Sequence, residues 1–124
     1  MKVSEYAALD ATGLAQLVRE KEVSPQEVLE AAVAAIEQVD PAVHAVVERT
    51  YEFAKEQIQA GIDLEAPFCG VPFVIKDEGG MMKGIPGTLG TRLSGDGIVA
   101  EHDTVLASRF KKAGVVVAAT AACP

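Results

Sequence analysis

The sequence predicts an α/β fold: helices in the first half, then a βαβ unit belonging to a mixed, mainly parallel sheet. Three observations predict it. Apolar residues recur at helical spacing from Leu14 to Ile58. The run from Val71 to Lys76 is short, carries apolar side chains on both faces, and so suits a strand covered on both sides. A glycine-rich segment, a helical pattern and a second apolar run, Val115 to Ala119, then follow. Strand, loop, helix, strand implies a parallel pair with a right-handed crossover.

Taken in order, the first helix has Asp10 as N-cap and Leu14, Leu17 and Val18 on its inner face. Gly13 weakens it by roughly 1 kcal/mol relative to alanine, so it leans on packing. Ser24-Pro25-Gln26-Glu27 starts the next helix with a cap serine, a first-turn proline and a capping-box glutamate. Val28, Leu29, Ala32, Val33, Ile36 and Val39 form its stripe, and Pro41 is expected to end it. Val43 to Val47 reads as a short strand or extended segment, with His44 a surface or satisfied histidine rather than a ligand. Tyr51, Ala54, Lys55 and Ile58 mark a third helix closed by Gly61, and a linker runs to Pro67. Residues 1–65 are thus a mainly helical lead-in, and residues 66–124 a strand-loop-helix-strand unit.

In that unit Val71, Phe73 and Ile75 share one face, and Pro72, Val74 and Lys76 the other. Lys76 leaves the strand at its carboxyl edge, where open α/β sheets keep their ligand crevices. A lysine losing solvation there favours its neutral form and becomes a base. The competing reading keeps its head in water, or pairs it with Asp77 or Glu78. Glu78 to Gly97 holds seven of the eleven glycines and is read as loop. It lacks the Gly-x-x-x-x-Gly-Lys-Ser/Thr phosphate pattern. Met81 and Met82 are read as gap-fillers before ligand contacts. Asp103 is expected to cap a helix over 104–113, stopped by Gly114, and capping is preferred to a His102-Asp103 dyad.

Composition excludes several classes. With 124 residues the chain has the size of one domain, and its 49% hydrophobic content leaves little polar surface for a small globule. That content, and a last apolar strand with nothing after it, lead to the expectation of an incomplete fold. Eleven basic against eighteen acidic residues give a net charge of −7, which disfavours nucleic acid and anionic membranes as partners. Cys69 and Cys123 have no metal spacing and are expected to be buried, in a reducing compartment. Neither a signal peptide nor a membrane span is read, and a cytoplasmic location is expected.

Taken together, the ordered run of motifs resembles the amino-terminal part of an amidase-signature enzyme. The carrying residues are Cys69-Gly70-Val71-Pro72-Phe73-Val74-Ile75-Lys76-Asp77, Gly84-Ile85-Pro86-Gly87-Thr88 and Gly90-Thr91-Arg92-Leu93. Ala100-Glu101-His102-Asp103 and Arg109 to Val117 follow in register, and Asp40 to Val47 fits the start of the family. The resemblance implies a Ser-Ser-Lys arrangement with Lys76 as the base, working through a bridging serine on a nucleophilic serine that attacks an amide carbonyl. It implies no cofactor, a small-molecule amide substrate in the full-length enzyme, and allows a homo-oligomer. The sequence departs from the family pattern in three ways. No Gly-Gly-Ser-Ser-Gly-Gly-Ser type segment is present, and Ser4, Ser24, Ser94 and Ser108 match neither serine. Thr120 stands where a basic residue is usual, and Glu78 replaces an apolar residue after the Lys-Asp pair. The expectation is an amidase segment inactive by itself. The alternatives are a non-catalytic binding or assembly module that covers its last strand by dimerisation or with a partner, and the amidase subunit of a tRNA-dependent amidotransferase.

Overall fold

The computed structural model describes residues 1–122; the expectation for Cys123 lies outside them. A one-turn helix α1 (Val3–Ala7) precedes α2 (Ala11–Arg19). Asp10 caps α2 by accepting the Gly13 N–H at 2.8 Å, and Leu14, Ala15 and Val18 face inward. Helix α3 (Pro25–Val43) opens on the reciprocal bonds of Ser24 and Glu27 read from the sequence.

Its end differs from expectation. Pro41 lies inside the last turn, and the helix runs on to Val43, where His44 takes a left-handed conformation at φ 51°. Proline forfeits one hydrogen bond and crowds the turn before it. Here the Asp40 carboxylate accepts the Ala45 and Val46 N–H groups at 2.8 and 2.9 Å and secures the chain's exit. The following strand therefore starts later than read, as β1 (Val46–Arg49). Helix α4 (Tyr51–Gln59) follows, and Gly61 closes it at φ +107°, a backbone conformation that side chains resist.

Strand β2 (Pro72–Lys76) and the last strand, β5 (Val116–Ala121), are parallel, with Pro72 opposite Val116 and Lys76 opposite Ala121. Strand β1 joins the other side of β5 antiparallel, giving the mixed order β1-β5-β2. Between β2 and β5 the chain forms a two-residue ribbon, β3 (Pro86–Gly87) with β4 (Ile98–Val99), a 3-10 turn (Arg92–Ser94) and helix α5 (Val105–Lys112). The glycine-rich segment read as plain loop thus carries one short antiparallel pair.

Central β5 is buried from Val116 to Thr120 and covered on both faces. Leu29, Ala54, Val116 and Ala118 pack together on one side; Ile75, Met82, Ile85, Ala107 and Val117 pack on the other. Burying a leucine such as Leu29 fully contributes roughly 1.5–3 kcal/mol. Two-sided cover fails for β2. Ile75 is buried, but Val74 is 39% exposed, and Val71 belongs to a third cluster against α2. The reason is position: β5 takes the centre of the sheet, and among the described residues no strand lies on the outer side of β2.

Candidate active site

Residues 72–76 are β-compatible and apolar up to Lys76, so the strand delivers the lysine at its carboxyl end beside the start of the glycine-rich loop. The Lys76 side chain is 54% exposed, and its Nζ lies 3.7 Å from a Glu78 carboxylate oxygen. The desolvation expected of Lys76 is therefore absent among the described residues. A cavity beside it, lined by Ile75, Asp77, Met81, Gly87 and Thr120, measures about 10 Å³. That is room for about one water and not for a substrate.

Successive residues at a strand end point to opposite sides. Lys76 faces out, and Asp77, only 3% exposed, turns into the loop. Its carboxylate accepts the Thr88 N–H at 2.9 Å, the Thr88 hydroxyl at 2.7 Å and the Gly90 N–H at 3.3 Å. Burial pushes its pKa up, but those bonds outweigh burial and hold it below the usual carboxylate range. Asp77 is thus engaged with the loop and not with Lys76.

The loop's far end is held in a similar way. Asp103 is not the cap of α5: Thr104 is, accepting the Ala107 N–H through its hydroxyl at 3.2 Å. Asp103 sits one residue earlier and accepts the Lys83 N–H at 2.8 Å and the Lys111 ammonium at 2.6 Å. Burial raises its pKa, and the bonds from Lys111 and Lys83 more than offset that. Two carboxylates therefore bracket the glycine-rich segment. His102 is exposed at the surface, and Met82 is a fully buried core residue.

A further cluster joins α3, β1 and α4. Arg49 bonds Glu37 at 2.8 Å and Asp40 at 3.0 Å, and the Tyr51 hydroxyl donates to Glu37 at 2.7 Å. Burial and the Glu37 carboxylate push the Tyr51 pKa up to about 12. These bonds tie the end of α3 to β1 and α4, with Asp40 also holding the Ala45 and Val46 N–H groups, which makes the cluster a structural clamp. Sequence reading missed it because its members lie 9 to 14 residues apart on three elements. Asp40, placed directly before Pro41, is the one local signal.

Among the remaining candidates, Cys69 is fully buried, and its thiol donates to the Ala15 carbonyl at 3.3 Å. Thr120 is buried, and its hydroxyl accepts the Glu48 N–H at 3.1 Å, so a small polar residue serves the sheet there. Ser24 caps α3, and Ser94 Oγ lies 2.8 Å from the Thr88 and Thr91 carbonyl oxygens. Among the described residues, no group of three or more His, Cys, Asp and Glu could hold a metal ion, and no helix is long and apolar enough to cross a membrane.

A parallel strand pair with a lysine at its carboxyl end, joined by a glycine-rich loop and a helix, is part of an amidase-signature fold. The family model described as Amidase matches residues 27–124, and the chain belongs to that family. The chain is 34% identical over 108 residues to the 6-aminohexanoate-cyclic-dimer hydrolase of Pseudomonas sp. (strain NK87), covering 86% of this chain and 21% of that protein. It is 34% identical over 116 residues to a glutamyl-tRNA(Gln) amidotransferase subunit of Methylacidiphilum infernorum (isolate V4), covering 94% and 22%. Among solved structures, 6-aminohexanoate cyclic dimer hydrolase complexed with substrate matches with a TM-score of 0.82 at 34% identity, over 94% of this chain and 24% of that one. A bacterial aryl acylamidase of the amidase signature family matches at 0.81 with 26% identity, over 94% and 25%. The chain spans about a fifth of the length of these curated relatives.

Proposed function

We propose that this chain is the base-carrying segment of an amide hydrolase, with Lys76 as the proton acceptor. The observation that carries the reading is the delivery of Lys76 to the carboxyl end of a parallel strand, in a chain of the Amidase family. In the working enzyme neutral Lys76 takes a proton through a bridging serine, which in turn deprotonates a nucleophilic serine. That serine attacks the amide carbonyl, the amine leaves after protonation through the same relay, and water clears the acyl-enzyme. Backbone N–H groups at the developing oxyanion would carry much of the rate.

The relay needs two serines and a covered lysine. None of Ser4, Ser24, Ser94 and Ser108 matches the family's serine segment, and Lys76 is half exposed. A base without nucleophile or oxyanion site lacks its constellation, so this chain by itself is inactive. The substrate is a small-molecule amide, with neither nucleic acid nor membrane as partner; the net charge of −7 supports that part. A cytoplasmic location and a homo-oligomer complete the reading, the latter supported by the free outer side of β2 among the described residues.

The amidotransferase reading is favoured by one observation, the 34% identity to the glutamyl-tRNA(Gln) amidotransferase subunit over 94% of this chain. The non-catalytic assembly module is favoured by another, the cavity of only about 10 Å³ at Lys76. The deciding experiment compares simple amide hydrolysis by the 124-residue chain with that of the same segment fused to the remainder of the cyclic-dimer hydrolase. Activity only in the fusion, lost on Lys76→Ala, supports the hydrolase. Turnover by the short chain, or an active Lys76→Ala fusion, sinks it.

A further inference from the structure

Lys76 acts from a strand end whose neighbouring wall is a 20-residue segment, Glu78 to Gly97, containing seven glycines. Such backbone has more conformational freedom to lose than any other, so something must select one arrangement. One residue does so at three points. The Asp77 N–H donates to the Ala121 carbonyl at 2.9 Å, tying it to the end of β5. Its side chain takes three donors from Thr88 and Gly90. The Thr88 carbonyl then meets Ser94 Oγ at 2.8 Å, which carries the connection to the 3-10 turn.

The loop lies close to this anchor. A Cβ on Gly87 would stand 3.4 Å from the Asp77 carbonyl oxygen, and one on Gly80 would stand 2.7 Å from Ile75 Cγ1. Gly87 also lines the cavity beside Lys76. The anchored residue Thr88 therefore directly follows Gly87, part of the wall of the lysine's surroundings.

We propose that Asp77 is a positioning residue for Lys76: it fastens the glycine-rich loop at Thr88 and Gly90, and so holds the surroundings of the lysine in one geometry. The inference rests on the hydrolase reading for what Lys76 does, but not for how the loop is held. A buried carboxylate with three donors is costly to disturb, because the donors left behind lose their partner. An arrangement that merely stabilised the fold would leave Lys76 untouched when broken.

The test is residue-resolved amide exchange, together with the Lys76 13Cε resonance, on the 124-residue chain. It compares wild type with Asp77→Asn, Thr88→Val and Thr88→Ser. Asp77→Asn and Thr88→Val are expected to speed exchange at positions 88 and 90 at least tenfold, to leave Val117 and Ala119 unchanged, and to shift the Lys76 signal. Thr88→Ser, which keeps the hydroxyl, is expected to restore both. Loop amides that do not respond overturn the proposal, as does a loop response with an unmoved Lys76 signal. Should Asp77→Asn unfold the chain, Thr88→Val decides, since its hydroxyl lies outside every strand. None of these readings uses turnover, so a Lys76 that proves catalytically idle leaves the result standing, and a failed loop response leaves the hydrolase reading intact.

Discussion

Lys76 and Glu78, two residues apart, place an ammonium and a carboxylate 3.7 Å from each other with both side chains more than half exposed. An exposed pair of this kind contributes about 0–1 kcal/mol and is screened by salt. Glu78→Gln is therefore expected to shift stability by less than about 0.5 kcal/mol, checked by urea unfolding. In the active fusion the same change removes the carboxylate beside the Lys76 ammonium, and turnover is expected to rise. A fall in turnover would assign Glu78 the opposite role.

Lys76→Ala separates folding from chemistry. Its half-exposed side chain predicts unfolding of the short chain within about 0.5 kcal/mol of wild type. In the fusion, the role of general base proposed for Lys76 predicts a fall in kcat of about 10²–10⁴ with KM little altered. A large loss of stability in the short chain would make the lysine a structural residue.

Gly114 and Gly61 both follow helices at positive φ, but differ in surroundings. A Cβ on Gly114 would meet Ala66 Cβ at 2.6 Å and the Cys69 backbone at 3.1 Å, whereas one on Gly61 would meet nothing within 4 Å. Gly61→Ala is expected to cost roughly 1–2 kcal/mol for the backbone conformation alone. Gly114→Ala adds overpacking and is expected to cost roughly 2–4 kcal/mol. Equal urea midpoints for the two variants would contradict the packing described at the start of β5.

Acid should weaken the fold. Asp40, Asp77 and Asp103 all have pKa values held below the carboxylate norm, for Asp40 first through the Val46 N–H bond. The unfolded chain then binds protons more readily than the folded one. The stability they contribute is complete above the unfolded carboxylate pKa of about 4 and is lost as pH falls through the lower folded values. Urea midpoints are expected to be flat from about pH 7 to 5 and to drop below about pH 4. In Asp77→Asn the drop should be smaller. A midpoint that rises on acidification would reverse the sign of this argument.

Helix starts were legible because their signals are local. Asp10 and Ser24 each bond an N–H three residues on, and Gly61 and Gly114 sit where a chain leaves a helix at positive φ. Two local signals misled. Pro41 ordinarily ends a helix, but here the chain gives up that one hydrogen bond near the helix end and Asp40 holds the exit. Asp103 looked like a cap, and Thr104 took that position because the Asp103 carboxylate is engaged by Lys83 and Lys111.

The order of residues was enough to determine the parallel βαβ unit, the family and the place of Lys76 at a strand end, since periodicity, caps and motif order act over a few positions. Only the folded chain decided what surrounds that lysine. Asp77 finds Thr88 eleven residues away and Asp103 finds Lys83 twenty away, while β5 takes the middle of the sheet and leaves β2 on its margin. Contacts of that range depend on how the glycine-rich backbone closes back on the sheet, and no local pattern encodes the closure.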